Sequence, residues 1–209
     1  MGLGVRGIRL LVGMSAGAGV LAMAGCGSPP WAQSTAVPTP TGSETTGSAP
    51  RQPVPNDLST GSTQRSLTAG AVAAQVDYWS ELGMNRWTAT ALKPVSVSMV
   101  TTVTPDDGQK VYLERATMTA VPGNADESLS PLPSQTDETS APGYLVLSPY
   151  SYSQTFTVGE VPPEATFVAL LFTFEYLVQT TPTSDEYAKQ TATDSLTVAI
   201  VEGTGTSGG

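Results

Sequence analysis

The apolar stretch Phe167-Val168-Ala169-Leu170-Leu171-Phe172-Thr173-Phe174 decides the fold class of this chain. Side chains of a β-strand point alternately to its two faces, and here both sets of positions carry large apolar groups. Such a run is typical of a strand in the middle of a sheet. The pair Pro162-Pro163 marks the connection before it, so the sequence predicts a central strand over residues 166–178.

Segments on both sides of this strand have the period of two that half-buried strands show, as in Val95-Ser96-Val97-Ser98-Met99. Further strands are predicted over residues 95–99, 110–121, 143–148, 152–158 and 195–201. The alternation in the second of these changes phase near Glu114, which predicts a bulge or a break. The residues between Pro122 and Pro142 are rich in proline, acids and hydroxyls, which indicates a long surface loop.

One segment before these strands has helical spacing. Val72, Val76, Trp79 and Leu82 recur at intervals of three and four, and Gly83 could end a helix begun near Ser66. Together these patterns predict a mainly β chain, an antiparallel immunoglobulin-like β-sandwich with one short N-terminal helix. The sandwich domain is predicted over residues 66–203, with a flexible tail at 204–209.

The first 25 residues have the parts of a secretory signal peptide. Arg6 and Arg9 precede an apolar run from Leu10 to Met23 that is too short to span a bilayer and is interrupted by glycines. Residues 26–65 are dominated by Ser, Thr, Pro and Gly, so they bury too little to offset their ordering entropy. They are predicted to form a disordered tether with a root-mean-square reach of roughly 35 Å.

The residues Met23-Ala24-Gly25-Cys26 resemble the lipobox of bacterial lipoproteins. The resemblance implies cleavage before Cys26 and attachment of lipid, including palmitate, to that residue, which is the only cysteine. The protein would then be exported and lipid-anchored to the cell membrane or outer membrane. The alternative is an ordinary apolar cysteine within a signal sequence.

Charge and composition exclude several partners. Loss of residues 1–25 would remove Arg6 and Arg9 and leave seven Lys and Arg against eighteen Asp and Glu, a net charge of about −11. Nucleic-acid binding requires clustered basic residues, and the chain has no such cluster. Attraction to anionic lipid heads is unfavourable for the same reason.

The residue types that carry most catalytic chemistry are scarce. Histidine is absent, which excludes Ser-His-Asp triads and imidazole metal sites, and no cofactor-binding fingerprint occurs. Neighbouring carboxylates such as Asp106-Asp107 and Asp137-Glu138 could in principle serve glycoside hydrolysis, and those between Asp126 and Glu138 could bind calcium. These carboxylates are better explained as solvated charges on surface loops. We therefore expect that the protein is not an enzyme and that it has no metal site and no cofactor.

Three tyrosines on or beside predicted strands, Tyr144, Tyr150 and Tyr152, are candidate partner-binding residues. Tyrosine is enriched at protein interfaces because it combines a large apolar ring with a polar tip. Packing in the core is the alternative explanation for these side chains.

Three segments resemble the type VI secretion outer-membrane lipoprotein family: Pro94-Val95-Ser96-Val97, Leu147-Ser148-Pro149, and Pro163 through Leu171. This resemblance implies a transthyretin-like sandwich that takes part in secretion-system assembly without catalysis. The expected function is therefore a non-enzymatic, lipid-anchored envelope protein with a protein-binding or scaffold role. A binding protein for a small ligand or glycan is the alternative.

Overall fold

The computed structural model describes residues 53–203, which form two antiparallel sheets packed as a sandwich. The nine strands are β1 (Ser62–Ala69), β2 (Val72–Trp79), β3 (Lys93–Val103), β4 (Val111–Gly123), β5 (Gln135–Glu138), β6 (Tyr144–Leu145), β7 (Tyr152–Val158), β8 (Phe167–Gln179) and β9 (Tyr187–Ala199). The first sheet has the order β1-β2-β3-β7. The second has the order β5-β4-β8-β9, with β6 also paired to β4. The predicted antiparallel sandwich is confirmed.

Several predictions concern residues outside this range. The signal peptide at 1–25, the lipid on Cys26, the tether up to residue 52 and the tail at 204–209 all lie outside the described residues. Of the remaining tether residues, Ser62–Arg65 belong to β1. Within the described part of the chain, no helix is long and apolar enough to cross a bilayer.

The apolar stretch at 167–174 opens β8, which pairs with β4 on one side and with β9 on the other. Its inward side chains are buried; they are Val168, Leu170, Phe172, Phe174, Tyr176 and Val178. The Phe172 ring lies 5.0 Å from the Tyr78 ring of β2 and 6.0 Å from the Phe156 ring of β7. These contacts join the two sheets, and burial of each such side chain contributes about 1.5–3 kcal/mol.

Two local predictions in the second sheet have different outcomes. The phase change near Glu114 is confirmed, since the register of β4 against β8 shifts between Leu113 and Arg115. The predicted loop between 122 and 142 contains a strand, β5, which pairs with β4 from Arg115 to Met118. Its sequence, Gln-Thr-Asp-Glu, has no apolar side chain because β5 lies at the edge of the sheet.

The predicted helix over residues 67–82 is wrong, because this segment forms the β1–β2 hairpin. Val72 and Val76 are four residues apart. Residues at this spacing lie on the same face of a helix and also on the same face of a strand. The intervening Ala74, together with Tyr78, completes an alternating buried set. Gly70 has a φ of 55°, so the turn before β2 requires a left-handed residue, which glycine adopts without strain. The described residues contain no α-helix, and their one helical turn is a 3₁₀ turn at Met84–Arg86.

The segment between β6 and β7 closes one side of the sandwich. The Val146 amide donates to the Val111 carbonyl of the second sheet at 3.0 Å, and the Val146 carbonyl accepts from the Thr101 amide of the first sheet at 2.9 Å. On the opposite side, Asp57 connects the edge strands β1 and β9. Its carboxylate accepts from Arg65 at 2.7 Å and from the Thr197 amide at 2.7 Å.

Candidate functional site

Two of the three candidate tyrosines come together with an aspartate where the two sheets meet. The Tyr144 and Tyr152 rings are 5.4 Å apart. Tyr152 donates from Oη to Asp137 Oδ2 at 2.9 Å, and Tyr144 donates to Asp137 Oδ1 at 3.4 Å. Burial raises the pKa of both tyrosines above the ordinary value, and the Asp137 carboxylate adds to this increase. Tyr152 is buried, so this cluster stabilises the fold and offers a partner little surface.

Tyr150, the third candidate, is separate from this cluster and open to solvent. It lies in the turn before β7, where its amide donates to the Leu147 carbonyl at 3.0 Å. Its side chain is 57% exposed. Among the three predicted partner-binding residues, Tyr150 is therefore the one with most of its ring available.

The outer side of the first sheet has an unusual composition, and we call this surface the hydroxyl face. Its members are the outward side chains of β1, β2, β3 and β7: Ser62, Gln64, Ser66, Thr68, Ala73, Gln75, Asp77, Trp79, Pro94, Ser96, Ser98, Val100, Thr102, Ser153, Thr155 and Thr157. Nine of these sixteen are Ser or Thr, and Asp77 is the one charged member. The surface is thus nearly uncharged in a chain whose formal net charge is −9.

Strand register arranges the hydroxyl face in rows across the sheet. The two rows that cross all four strands are Ser62-Trp79-Ser96-Thr155 and Gln64-Asp77-Ser98-Ser153. Hydrogen bonds between neighbours hold these side chains: Ser96 Oγ and Thr155 Oγ1 are 2.8 Å apart, and Gln64 Nε2 donates to Asp77 Oδ1 at 2.8 Å. Side chains fixed in this way form an ordered, polar surface.

Trp79 is the aromatic member of the hydroxyl face. The side chain is half-buried, and its Nε1 donates to Glu81 Oε1 at 3.0 Å, which fixes the position of the indole. The sequence patterns assign Trp79 to the apolar stripe of a helix. Its place on the outer face of the sheet becomes clear only when the segment is seen to form a β-hairpin. The signal that could have found it is the polar alternation of Ser62, Gln64 and Ser66, which marks an exposed strand face.

The outer side of the second sheet is different because it carries a network of ion pairs. Arg115 bonds Glu138 at 2.8 Å and Glu175 at 3.3 Å, and Lys189 bonds Glu114 at 2.9 Å and Glu175 at 3.3 Å. These contacts connect β5, β4, β8 and β9 across the sheet. The two cations are open to solvent, so water and salt screen these ion pairs and their contribution to stability is small.

Lys93 is the residue with the most unusual surroundings, since it is fully buried. Its Nζ donates to the carbonyl oxygens of Ala91 at 2.6 Å, Gly159 at 2.8 Å, Thr88 at 3.1 Å and Ala89 at 3.5 Å. Burial lowers the pKa of Lys93, while Glu160 acts in the opposite direction. The ammonium group joins the loop before β3 to the end of β7, which is a structural role.

A cleft of about 600 Å³ lies where the loops around residues 89, 124–126, 163–166 and 200–203 meet. Its lining includes the carboxylates of Asp126, Glu164 and Glu202. In the described part of the chain, no three Asp or Glu residues come together in a group that could hold a metal ion. The paired carboxylates have other contacts: Asp137 accepts from two tyrosines, and Glu138 pairs with Arg115.

Comparison of the chain with protein-family models, with curated proteins and with solved structures gave no match. The resemblance of three segments to the type VI secretion lipoprotein family therefore stays a prediction.

Proposed function

We propose that this chain is an exported lipoprotein, anchored to the cell membrane or outer membrane through lipid on Cys26, whose β-sandwich is a non-enzymatic binding or scaffold module of the envelope. One observation carries the proposal. Four ionisable side chains whose chemistry could serve catalysis are engaged in contacts that hold the fold: Lys93, Asp137, Arg115 and Lys189. The outward faces of the sheets and the exposed turns remain for recognition.

The lipid anchor is tested by changing the residue that would carry it. Cys26→Ser should abolish incorporation of a labelled fatty acid and release the protein from the membrane fraction, because two or three acyl chains are what hold such a protein to a bilayer. Ser34→Ala, in the predicted tether, should leave both properties unchanged. Labelling and membrane retention of Cys26→Ser would remove the anchor from the proposal.

A protein partner is the first candidate for what the sandwich binds, and Tyr150 is the residue that favours it. The exposed ring projects from a turn, and tyrosine is enriched at interfaces. A photocrosslinking amino acid at position 150 should capture one envelope protein in living cells, whereas the same probe at Asp185 should not. Purified partner should then bind the Tyr150→Ala variant about tenfold more weakly than the wild type, as measured by calorimetry.

A glycan is the second candidate for the partner, and a separate observation favours it. Eight of the nine Ser and Thr side chains of the hydroxyl face are exposed or half-buried, and they share this surface with a partly exposed indole.

A further inference from the structure

We propose that the hydroxyl face binds a neutral polysaccharide of the cell envelope, with Trp79 as the ring on which a sugar stacks. This inference rests on the proposed function, which places the domain within the envelope. It identifies both the surface and the chemical class of the partner.

The hydrogen-bonding groups of the face match those of a sugar. A Ser or Thr hydroxyl can donate and accept, and a Gln amide also has both a donor and an acceptor. Sugar hydroxyls likewise do both, so each can find a partner of either kind on this surface. The pair Ser66 Oγ and Gln75 Oε1, 2.9 Å apart, shows that neighbouring groups on the face are already arranged at hydrogen-bond distance.

The charge distribution favours a neutral polymer. The chain carries eighteen Asp and Glu, yet the sixteen members of the hydroxyl face include Asp77 alone, and Gln64 donates to that carboxylate at 2.8 Å. No Lys or Arg belongs to the face, so an anionic polymer would gain no ion pair there. Nucleic acids and anionic lipid heads are disfavoured for the same reason.

The composition also favours a glycan over a protein or a second copy of the chain. Protein interfaces are enriched in Tyr, Trp, Phe, Met and Arg at their cores and are depleted in Ser. Their energetically dominant residues also include few Ser and Thr. The hydroxyl face has the reverse composition, with one aromatic residue among many hydroxyls. Exposed large apolar side chains occur elsewhere, at Leu92, Tyr150 and Leu171.

Trp79 has the position that a stacking platform requires. It stands in the row Ser62-Trp79-Ser96-Thr155, which crosses the sheet over about 14 Å at the ~4.8 Å spacing of neighbouring strands. The apolar C–H groups of one sugar can pack on the indole while the exposed hydroxyls of Ser62 and Thr155 in the row bind its neighbours; Ser96 is buried and bonds Thr155. The bond from Nε1 to Glu81 holds the ring, so less side-chain freedom is lost on binding.

The experiment is native affinity electrophoresis of the purified full chain in gels that contain dextran, amylose, galactomannan or mannan. The acidic protein migrates toward the anode, and binding to the immobile polymer slows it. We expect one or more of these polymers to retard the wild type. Trp79→Ala should then weaken the apparent affinity about tenfold, whereas Leu171→Ala, which removes an exposed apolar side chain from β8 of the other sheet, should change it by less than about twofold.

A second variant keeps the test independent of the stability of Trp79→Ala. Ser98 is a half-buried outward residue on the middle of the hydroxyl face, so Ser98→Lys should block the surface without changing the core. Thr173→Lys is its matched control, because Thr173 is a half-buried outward residue on β8 of the other sheet and the charge change is the same. Circular dichroism should show wild-type strand content for both variants.

Several results would overturn the inference. These are the absence of retardation in all four neutral polymers, retardation only in a parallel gel that contains the anionic polymer carboxymethylcellulose, or equal affinity of the wild type and the two hydroxyl-face variants. A dimer that Ser98→Lys dissociates would assign the face to a second copy, and loss of a crosslinked protein in that variant would assign it to a protein. None of these outcomes affects the acylation of Cys26, so failure of the glycan inference can be distinguished from failure of the lipid anchor.

Discussion

A buried ammonium group is stable in a protein only if hydrogen bonds replace its hydration. Lys93 achieves this through four backbone carbonyls, three of which belong to the short loop between residues 88 and 91. Two of these carbonyls also accept from backbone amides, Thr88 from Ala91 at 3.3 Å and Ala89 from Val161 at 2.9 Å. The carbonyls of Ala91 and Gly159, which make the two shortest bonds to Nζ, are therefore the ones that depend most on the lysine.

Lys93→Met should destabilise the domain by about 2–4 kcal/mol, because methionine fills much of the volume but leaves the buried carbonyls of Ala91 and Gly159 without the ammonium donor. Lys110→Met, at an exposed position before β4, should change the free energy of unfolding by less than about 0.5 kcal/mol. Urea denaturation curves of the two variants measure the difference. Equal midpoints would show that the four bonds contribute nothing net to stability.

Tyr150, in the turn before β7, and Tyr152, the first residue of β7, should behave differently on loss of their hydroxyls. Tyr152→Phe removes a bond to a carboxylate and should cost about 1.5–3 kcal/mol. Tyr150→Phe removes an exposed hydroxyl and should have almost no effect on stability. Thermal unfolding of both variants tests this, and a Tyr150→Phe variant that is as unstable as Tyr152→Phe would contradict the assignment of Tyr150 to the surface.

The strands that could be predicted from the sequence are those with large apolar side chains at every second position. β7 and β8 match their predicted ranges to within a residue at each end, and even the bulge at Glu114 follows from the alternation. The edge strands β5 and β9 lack this signal, whereas the edge strand β7 has it. Only the last part of β9 is predicted, because the first part carries polar side chains, such as Gln190 and Asp194, on the same face as the buried Leu196.

The β1–β2 hairpin was beyond the sequence patterns for a different reason. The spacing of its apolar residues Val72 and Val76 fits both a helix and a strand. The buried residue between them, Ala74, is too small to mark the alternation of a strand clearly. The error extends to the candidate site, because a helix places Trp79 on an inward stripe and hides the hydroxyl face. Tyr150 could be chosen as a candidate partner-binding residue from its residue type and its position beside a predicted strand. The hydroxyl face could not be predicted in this way, because its members come together only through the register of four strands.

Asp57 joins the edge strands β1 and β9 of the two sheets, and its loss should loosen the edge at β9. Asp57→Ala removes the bonds to Arg65 and to the Thr197 amide, although the Asp57 amide can still donate to the Thr197 carbonyl. We expect a loss of about 1–3 kcal/mol and faster hydrogen exchange of the Thr197 amide. Asp77→Ala is the control, because Asp77 accepts from Gln64 on an exposed face. Unchanged exchange at Thr197 would show that the carboxylate does not protect this edge.

The sandwich has two outer surfaces of opposite character. The second sheet carries the ion-pair network of Arg115, Lys189 and three glutamates, whereas the hydroxyl face of the first sheet has one charge. Salt weakens contacts between exposed charges and has little effect on hydrogen bonds between neutral groups. Binding at the hydroxyl face should therefore be insensitive to ionic strength, and this property would distinguish it from binding at the opposite face.

The packing of the sandwich also predicts its response to alkaline pH. Burial raises the pKa of Tyr78, Tyr152 and Tyr176 far above the ordinary 10.0, and the charges of Asp194 and Asp137 add to this for Tyr78 and Tyr152 respectively. These three phenols stay protonated in the folded chain, whereas the unfolded chain loses their protons above about pH 10. The unfolded state then binds fewer protons than the folded state, so stability is intact below pH 10 and falls as the pH rises further, by up to about 4 kcal/mol per pH unit for three groups.

Phenolate absorbance, followed together with circular dichroism, measures this response. Three of the seven tyrosines should ionise in one step that coincides with loss of the β-sheet signal. In Tyr152→Phe the step should shrink by one tyrosine and move to lower pH, because the domain is already less stable by the loss of the bond to Asp137. Smooth ionisation of all seven tyrosines with the sheet signal intact would mean that water reaches these hydroxyls, and the two sheets would then not be packed as tightly as the buried rings require.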